Sequence, residues 1–289
     1  MKSITYAAPE TVQEAVAMLA ERRGAARVLA GGTDLITQMK EGRRSYDVLV
    51  DLKRIAALGH LSFSPETGLT VGAAVPCVHL QESSEVGYHY PILTTVCSLI
   101  GSYQIQTRAS LGGNLCNAAP SADGTPALIV LGAKAVIAGP EGERIVDVET
   151  VCTAPGRTSL GPADLLVELR IPFPAPHSGA AYERFIPRGE MDIAVAGVAS
   201  ALTLGADGTI ASARIALASV APTPLRVPTA EAALVGQKPS EELFAEAGRV
   251  AGAACAPISD VRGSAEYRRH LVGVLTRRTL AEALLQARG

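Results

Sequence analysis

The chain has 289 residues, with 26 basic and 28 acidic side chains and a formal charge of −2 at neutral pH. This length is enough for two or three domains with a substantial core. The near-neutral charge gives no electrostatic reason to expect nucleic acid as a partner. The arginines at 268, 269, 277 and 278 fall in a C-terminal helical pattern and are predicted to lie on its solvated face.

Targeting segments and metal motifs are not evident in the sequence. The N-terminal residues lack the apolar segment of a signal peptide, and no run approaches the roughly 18 apolar residues that span a bilayer. We therefore expect a cytoplasmic protein without an integral membrane segment. The five cysteines are dispersed without a C-x-x-C pair, and the five histidines show no ligand spacing. No metal site or iron–sulfur cluster is expected on this chain itself.

Residues 1–53 are predicted to form a small β/α unit. A helix begins at Thr11, with Glu14 at the capping-box spacing, and residues 47–52 (DVLVDL) have the pattern of a strand. Between them, a short apolar run ends at two glycines, followed by residues that suit a helix N-cap and by a helical pattern over 35–40. The residues of this turn are Ala30, Gly31, Gly32, Thr33, Asp34 and Leu35.

A strand, a Gly-Gly turn and a helix start can direct several backbone N–H groups at one phosphate or pyrophosphate. The spacing matches neither the Rossmann nor the Walker fingerprint. Taken alone, the turn is more often structural than a ligand site.

Residues 54–176 are predicted to contain a β-hairpin, a helix that Pro91 begins and that runs to Ile100, and strands at 134–138 and 165–171. The segment 102–127 is rich in Gly, Ser, Asn and Pro and is predicted as a long functional loop. The proline cluster at 172, 174 and 176 is the candidate boundary to a third domain, residues 177–289. There, two strands around 205–208 precede three helical patterns, which indicates an α+β domain.

A second glycine pair lies in the 102–127 segment. Around it, backbone N–H groups and polar side chains could donate hydrogen bonds to a ligand. The candidate residues are Thr107, Ser110, Leu111, Gly112, Gly113 and Asn114. Both glycine pairs could close on one diphosphate, with Asp123 accepting hydrogen bonds from ligand hydroxyls. Alternatively, they are two unrelated turns and Asp123 caps the following helix. From the residues alone, both interpretations stay open.

The motif from Ala30 to Leu35 resembles the first flavin signature of the FAD-binding medium subunit in the xanthine dehydrogenase and carbon monoxide dehydrogenase family of molybdenum hydroxylases. The run from Gln104 to Leu115, continued by 119–123, is similar to the second signature. The likeness extends through 188–194 and 258–262. It implies an α+β chain: a two-subdomain FAD-binding fold of the vanillyl-alcohol-oxidase or PCMH type, followed by a C-terminal α+β domain with a small antiparallel sheet plus helices.

The resemblance also implies roles for single residues. Ala30 to Asp34 would surround the FAD pyrophosphate, which Ser110 to Asn114 would approach from the other side. Asp123 would contact the ribityl or diphosphate region, Ile100 would lie near the ligand, and Leu165 would pack on the flavin ring. Arg184 would take a cationic position beside the flavin, although a surface charge is an equal alternative, and Ile193 would stand where some members have an aromatic residue. For Leu165 the simpler alternative is a core leucine.

The implied function is electron transfer through FAD on this chain. Molybdopterin would lie on a large partner subunit and [2Fe–2S] clusters on a small one, in a heterohexamer with two copies of each subunit, and the acceptor would be NAD, a quinone or another compound. No catalytic acid, base or nucleophile is predicted here. Two alternatives are a self-sufficient FAD-dependent oxidoreductase with its own substrate cavity and a non-enzymatic nucleotide-binding assembly module.

Overall fold

The computed structural model describes residues 3–289 and shows a mixed α+β architecture built on three main sheets. The first sheet is small and parallel, with strand order β1-β3-β2. Its strands and helices are β1 (Thr5–Ala7), α1 (Val12–Arg22), β2 (Ala26–Leu29), α2 (Leu35–Lys40) and β3 (Val48–Asp51). The carboxyl ends of β2 and β3 lie side by side because the strands are parallel, which places the glycine turn next to the residues that follow β3.

The helix predicted from Thr11 forms the first of the two hydrogen bonds of a capping box. The Thr11 hydroxyl accepts a hydrogen bond from the Glu14 N–H at 3.1 Å. The Glu14 carboxylate accepts from the Glu10 N–H at 2.9 Å, one residue before the position that a capping box uses. Both contacts satisfy backbone donors at this helix start.

The second sheet is antiparallel, with order β4-β5-β10-β6-β7. Its strands, with the short hairpin β8–β9, are β4 (Leu61–Ser64), β5 (Gly68–Gly72), β6 (Lys134–Gly139), β7 (Gly142–Asp147), β8 (Cys152–Ala154), β9 (Arg157–Thr158) and β10 (Leu165–Ile171). The helices between β5 and β6 are α3 (Cys77–Glu82), α4 (Ser84–His89), α5 (Pro91–Leu99), α6 (Tyr103–Gln106), α7 (Leu111–Asn117) and α8 (Gly124–Val130). Two 3₁₀ turns, Ala56–Gly59 and Val148–Thr150, complete this region.

The prediction of a long loop over 102–127 is wrong, because α6, α7 and the start of α8 fill most of it. These helices have only four to seven residues. Hydrophobic periodicity needs a window of about 11 residues or more, so such helices do not register in the pattern. The second glycine pair consequently lies in the first turn of a helix and not in a loop.

The third sheet is antiparallel, with order β11-β12-β13-β14. Its strands and the helices that cover it are β11 (Ser178–Phe185), β12 (Ala196–Leu204), β13 (Ile210–Ala218), β14 (Leu225–Arg226), α9 (Pro228–Leu234), α10 (Glu241–Ala254) and α11 (Ala265–Ala287). The predicted hairpin corresponds to β12–β13, whereas β11 was not predicted as a strand. The α+β class is confirmed. Among residues 3–289, no helix is both long and apolar enough to cross a bilayer.

The core of the first two sheets takes in side chains from the third. Tyr182 on β11, Ala199 on β12 and Ala216 on β13 belong to the apolar cluster whose other buried members lie within residues 15–171, while a separate cluster lies between the third sheet and its helices. Residues 177–289 are thereby packed directly against α8. The boundaries 1–53, 54–176 and 177–289 stay a prediction.

Arg268 is buried, and the prediction that it lies on a solvated helix face is wrong for this residue. Its side chain is 4% exposed and donates hydrogen bonds to the carbonyl oxygens of Val195 (2.7 Å) and Ser219 (3.1 Å) and to the Asp260 carboxylate (2.6 Å). Arg269 beside it is exposed. A guanidinium can be buried when several acceptors surround it, and these acceptors come from three separate segments that sequence spacing does not relate.

Candidate cofactor-binding site

The first glycine turn joins β2 to α2 as predicted. Gly32 has φ +78°, a conformation that residues with a side chain rarely adopt. Within the described residues, the backbone N–H groups of positions 31–34 donate no hydrogen bond, and positions 31–33 are half-buried. Asp34 occupies the N-cap position of α2, but its side chain makes no capping bond. The turn therefore presents backbone donors that the protein itself does not use.

The structure packs the first glycine turn against the segment that precedes the second glycine pair. A Cβ on Gly31 would lie 2.0 Å from the carbonyl oxygen of Arg108, closer than any side chain permits. Gln38 on α2 donates a hydrogen bond to Asn117 at the end of α7 at 3.1 Å. The absence of a side chain at Gly31 is what allows the first turn to reach the segment before α7.

The second glycine pair is fixed to the end of β5. The Ser110 hydroxyl donates to the Ala73 carbonyl oxygen at 2.7 Å and accepts from the Gly113 N–H at 3.0 Å. A Cβ on Gly112 would lie 2.4 Å from the same Ala73 oxygen. Asn114 accepts from the Gly124 N–H at 3.1 Å, which ties the start of α7 to the start of α8. Asn114 itself lies within α7 and is helical.

Asp123 lies at the N-cap of α8 without a capping bond from its side chain, contrary to the simpler interpretation. One carboxylate oxygen accepts from the Tyr182 hydroxyl at 2.7 Å, and the other accepts from the Arg184 guanidinium at 2.6 Å. Burial raises the pKa of Asp123, and the contacts with Arg184 and Tyr182 only partly offset this effect. Burial, followed by the charge of Asp123, also raises the pKa of Tyr182 well above its usual range.

Arg184 is not a surface charge. Its side chain is 8% exposed, and within the described residues its buried Nε atom has no hydrogen-bond partner. Ile193, in contrast, is 48% exposed. The sequence could not predict the burial of Arg184, because it depends on how β11 lies against α8.

The remaining predicted residues lie at different depths in the fold. Leu165 begins β10, is 2% exposed and packs in the first core, as its simpler interpretation expects. Ile100 follows α5 and packs against the same core. Thr107 is exposed, and its hydroxyl donates to the Gln104 carbonyl oxygen at 2.8 Å. Leu111 is buried.

Lys53 is a residue at this site that the sequence analysis missed. Its Nζ atom lies 3.3 Å from the carbonyl oxygen of Ala30 and 2.5 Å from the carboxylate of Asp51. The position two residues beyond the end of β3 was the available signal, because the carboxyl ends of parallel strands meet at one edge of a sheet.

These residues fit a dinucleotide with a diphosphate. Unused backbone N–H groups and glycines that permit close backbone approach are the means by which proteins hold diphosphates. The buried Arg184 and Tyr182 bond to Asp123, and the neighbouring Gly124 is bonded to Asn114 of the second glycine segment. Backbone N–H groups and a buried guanidinium can bind and orient a cofactor, and in cofactor-dependent proteins the cofactor supplies the redox chemistry.

Comparison with known proteins gives a consistent result over the whole chain. The family described as the FAD binding domain in molybdopterin dehydrogenase matches residues 2–174, and the CO dehydrogenase flavoprotein C-terminal domain matches residues 180–283.

Individual relatives agree with this result. The xanthine dehydrogenase FAD-binding subunit of Escherichia coli O157:H7 is 32% identical over 99% of this chain and 97% of its own length. The carbon monoxide dehydrogenase medium chain of Afipia carboxidovorans is 35% identical over 99% of this chain and 98% of its own. A solved structure of carbon monoxide dehydrogenase from Hydrogenophaga pseudoflava, in a form lacking the Mo-pyranopterin moiety, aligns with a TM-score of 0.94 at 34% identity, covering 99% of this chain and 98% of that one.

Proposed function

The chain belongs to the FAD-binding medium subunits of the xanthine and carbon monoxide dehydrogenase family, and we propose that it is the electron-transfer flavoprotein subunit of a molybdenum-containing hydroxylase or dehydrogenase. The observation that carries the proposal is the contact of Gly31, in the first predicted flavin signature, with the backbone of Arg108, in the second, which brings both signatures to one place.

In this proposal, the N–H groups of residues 31–34 and the start of α7 hold the FAD diphosphate. Their donors are fixed before binding, because Ser110 is bonded to Ala73 and Gln38 is bonded to Asn117. Binding to a preformed site loses less conformational entropy than binding to a mobile loop. The protein therefore contributes orientation and affinity.

Tyr182 and Arg184, both bonded to Asp123, form the side of the proposed site that the C-terminal part contributes. The three side chains are joined by two short hydrogen bonds and are shielded from water. A guanidinium in such surroundings is a strong donor towards electron-rich ring atoms of a cofactor. Ile100 and Leu165 supply apolar surface for the flavin in this proposal.

When bound, FAD would supply the redox chemistry, receiving electrons from [2Fe–2S] clusters on a small partner subunit and releasing them to NAD, a quinone or another acceptor. The molybdopterin and the substrate site would belong to a large partner subunit. The relatives' names, a FAD-binding subunit and a medium chain, support an assembly of this kind. We further propose two copies of each subunit in a cytoplasmic heterohexamer.

Cofactor analysis of the native complex, purified through a tag on this chain, tests the proposal. FAD together with iron–sulfur absorption and molybdenum is the expected result, with two dissimilar partner chains at equal stoichiometry. FAD with turnover of a small substrate by this chain alone would overturn the subunit assignment in favour of a self-sufficient oxidoreductase. A chain that binds no flavin, even after reconstitution, would instead be the non-enzymatic module.

A further inference from the structure

The side chain of Lys53, which lies beyond strand β3 of the parallel sheet, forms a hydrogen bond with Ala30, the first residue of the proposed FAD-binding turn. Its ammonium group donates to the Ala30 carbonyl oxygen at 3.3 Å and to the Asp51 carboxylate at 2.5 Å. Lys53 follows β3, and Ala30 follows the neighbouring strand β2. The contact therefore joins the carboxyl ends of two parallel strands.

Asp51 holds the ammonium group in place. Its side chain is 4% exposed, and its second carboxylate oxygen accepts a hydrogen bond from the Tyr6 hydroxyl. The Lys53 backbone N–H also donates to Asp51, at 3.0 Å. Burial by itself raises the pKa of Asp51, but the hydrogen bonds from Lys53 and Tyr6 outweigh it and lower the pKa, so the carboxylate stays charged.

The peptide between Ala30 and Gly31 transmits this constraint to the turn. In a trans peptide, the C=O and the N–H point in opposite directions, so holding the Ala30 oxygen on the Lys53 side directs the Gly31 N–H to the other side. A positively charged group bonded to the oxygen also polarises the peptide and strengthens its N–H as a donor. Gly31 is held further by its packing on the Arg108 carbonyl.

We propose that Lys53 is a positioning residue for the FAD diphosphate, acting through the orientation of the Ala30–Gly31 peptide, with Asp51 and Tyr6 fixing its ammonium group. This inference rests on the proposed flavin function. It assigns a role to a charged side chain that lies beside the turn and outside both flavin signatures.

A second ion pair of equal length, but more exposed, provides the comparison variant, and the melting temperatures described below account for the difference in burial. Lys53→Met removes the donor to Ala30, whereas Lys134→Met removes an ion pair of equal length, 2.5 Å, to Asp147 on the β6–β7 hairpin. Each variant is prepared as the full chain in its purified complex, stripped of flavin and titrated with FAD. ADP, which carries the diphosphate without the flavin, is titrated as a competitor.

Lys53→Met is expected to raise the dissociation constants of FAD and ADP by the same factor, about tenfold, as the loss of one charge-assisted hydrogen bond implies. Lys53→Arg should recover most of the affinity, and Tyr6→Phe should give a smaller loss. Lys134→Met should bind both ligands as the native chain does. Melting temperatures of the stripped complexes are compared to identify any variant that loses its fold.

Three outcomes would overturn the inference while leaving the flavin function intact. They are an unchanged FAD affinity in Lys53→Met, a loss of FAD affinity without a loss of ADP affinity, and an equal loss of affinity in Lys134→Met. If Lys53→Met does not fold, Lys53→Arg and Tyr6→Phe decide on the same two ligands. A native chain that binds neither FAD nor ADP would overturn the proposed function itself.

Discussion

Arg184 donates a hydrogen bond to Asp123 with 2.6 Å between Nη1 and Oδ2, and this ion pair joins the C-terminal sheet to the start of α8. Both side chains are over nine-tenths buried. Because Tyr182 on the same strand donates to the other oxygen of Asp123, the carboxylate is satisfied only when β11 lies against α8. The geometry of this part of the proposed flavin site therefore depends on the packing of the C-terminal sheet against α8.

This relationship predicts the effect of separating the pair. Asp123→Asn or Arg184→Met alone should lower the free energy of unfolding by about 3 kcal/mol, because each leaves a buried charge without its partner. The double variant should be less destabilised than the sum of the two. Urea unfolding of the full chain measures this, with Arg249→Met, from the exposed pair with Glu246, as a control whose unfolding midpoint should not change. Strict additivity of the two single losses would show that the pair is not energetically coupled.

Gly31→Ala is expected to weaken FAD binding at least about tenfold. The added Cβ would lie 2.0 Å from the Arg108 oxygen, so one of the two turns must move, and overpacking of this kind is costly. Gly87→Ala on α4 adds the same methyl group with no atom within 4 Å and serves as the control. The measurement is the flavin-to-protein ratio after purification together with the FAD dissociation constant. Full flavin retention by Gly31→Ala would contradict the convergence of the two signatures.

Arg268→Met should destabilise the C-terminal part by about 3 kcal/mol. It removes the donor for the buried Val195 carbonyl oxygen and the half-buried Ser219 carbonyl oxygen, and it leaves Asp260 without its closest cation. Arg269→Met changes the adjacent, exposed arginine and should leave the unfolding midpoint unchanged. Equal midpoints for the two variants, measured by urea unfolding of the full chain, would contradict the structural role given to Arg268.

Alkaline unfolding should depend on Tyr90. Burial raises the pKa of Tyr90 to about 12, compared with about 10 in an unfolded chain. Since the folded state holds this proton more tightly, the associated stability is complete below about pH 10 and is lost as pH rises through 12. Tyr90→Phe should flatten the pH dependence in this window, while Tyr88→Phe, at a position 82% exposed, should not.

Tyr90→Phe should also lower the free energy of unfolding at neutral pH, for a reason unrelated to ionisation. The Tyr90 hydroxyl donates to the Pro172 carbonyl oxygen at 3.1 Å, so Tyr90→Phe should cost about 1 kcal/mol even where no tyrosine ionises. The test is the change in unfolding free energy between pH 9 and pH 12 relative to this offset. A slope equal to that of the native chain would exclude Tyr90 as the titrating group.

The sequence by itself determined the local elements whose signals are short-range. The helix at 35–40 and the strand at 165–171 have the predicted bounds, because a glycine turn with N-cap residues and a continuous apolar run are read from neighbouring positions. The family resemblance, carried by two motifs in the right order, was equally available from the sequence. The helices within 102–127 were missed because they are too short to show a period.

Only the tertiary structure decided the environments of the charged residues. Arg184 and Arg268 have nothing in their sequence neighbourhood that distinguishes them from exposed arginines, and Lys53 looks like any residue after a strand. Their partners lie 61 residues away for Arg184, 73 and 49 residues away for the carbonyls bound by Arg268, and 23 residues away for the Ala30 oxygen. Burial of a charge depends on which distant acceptors surround it, and that is set by how the three sheets pack and not by the pattern along the chain.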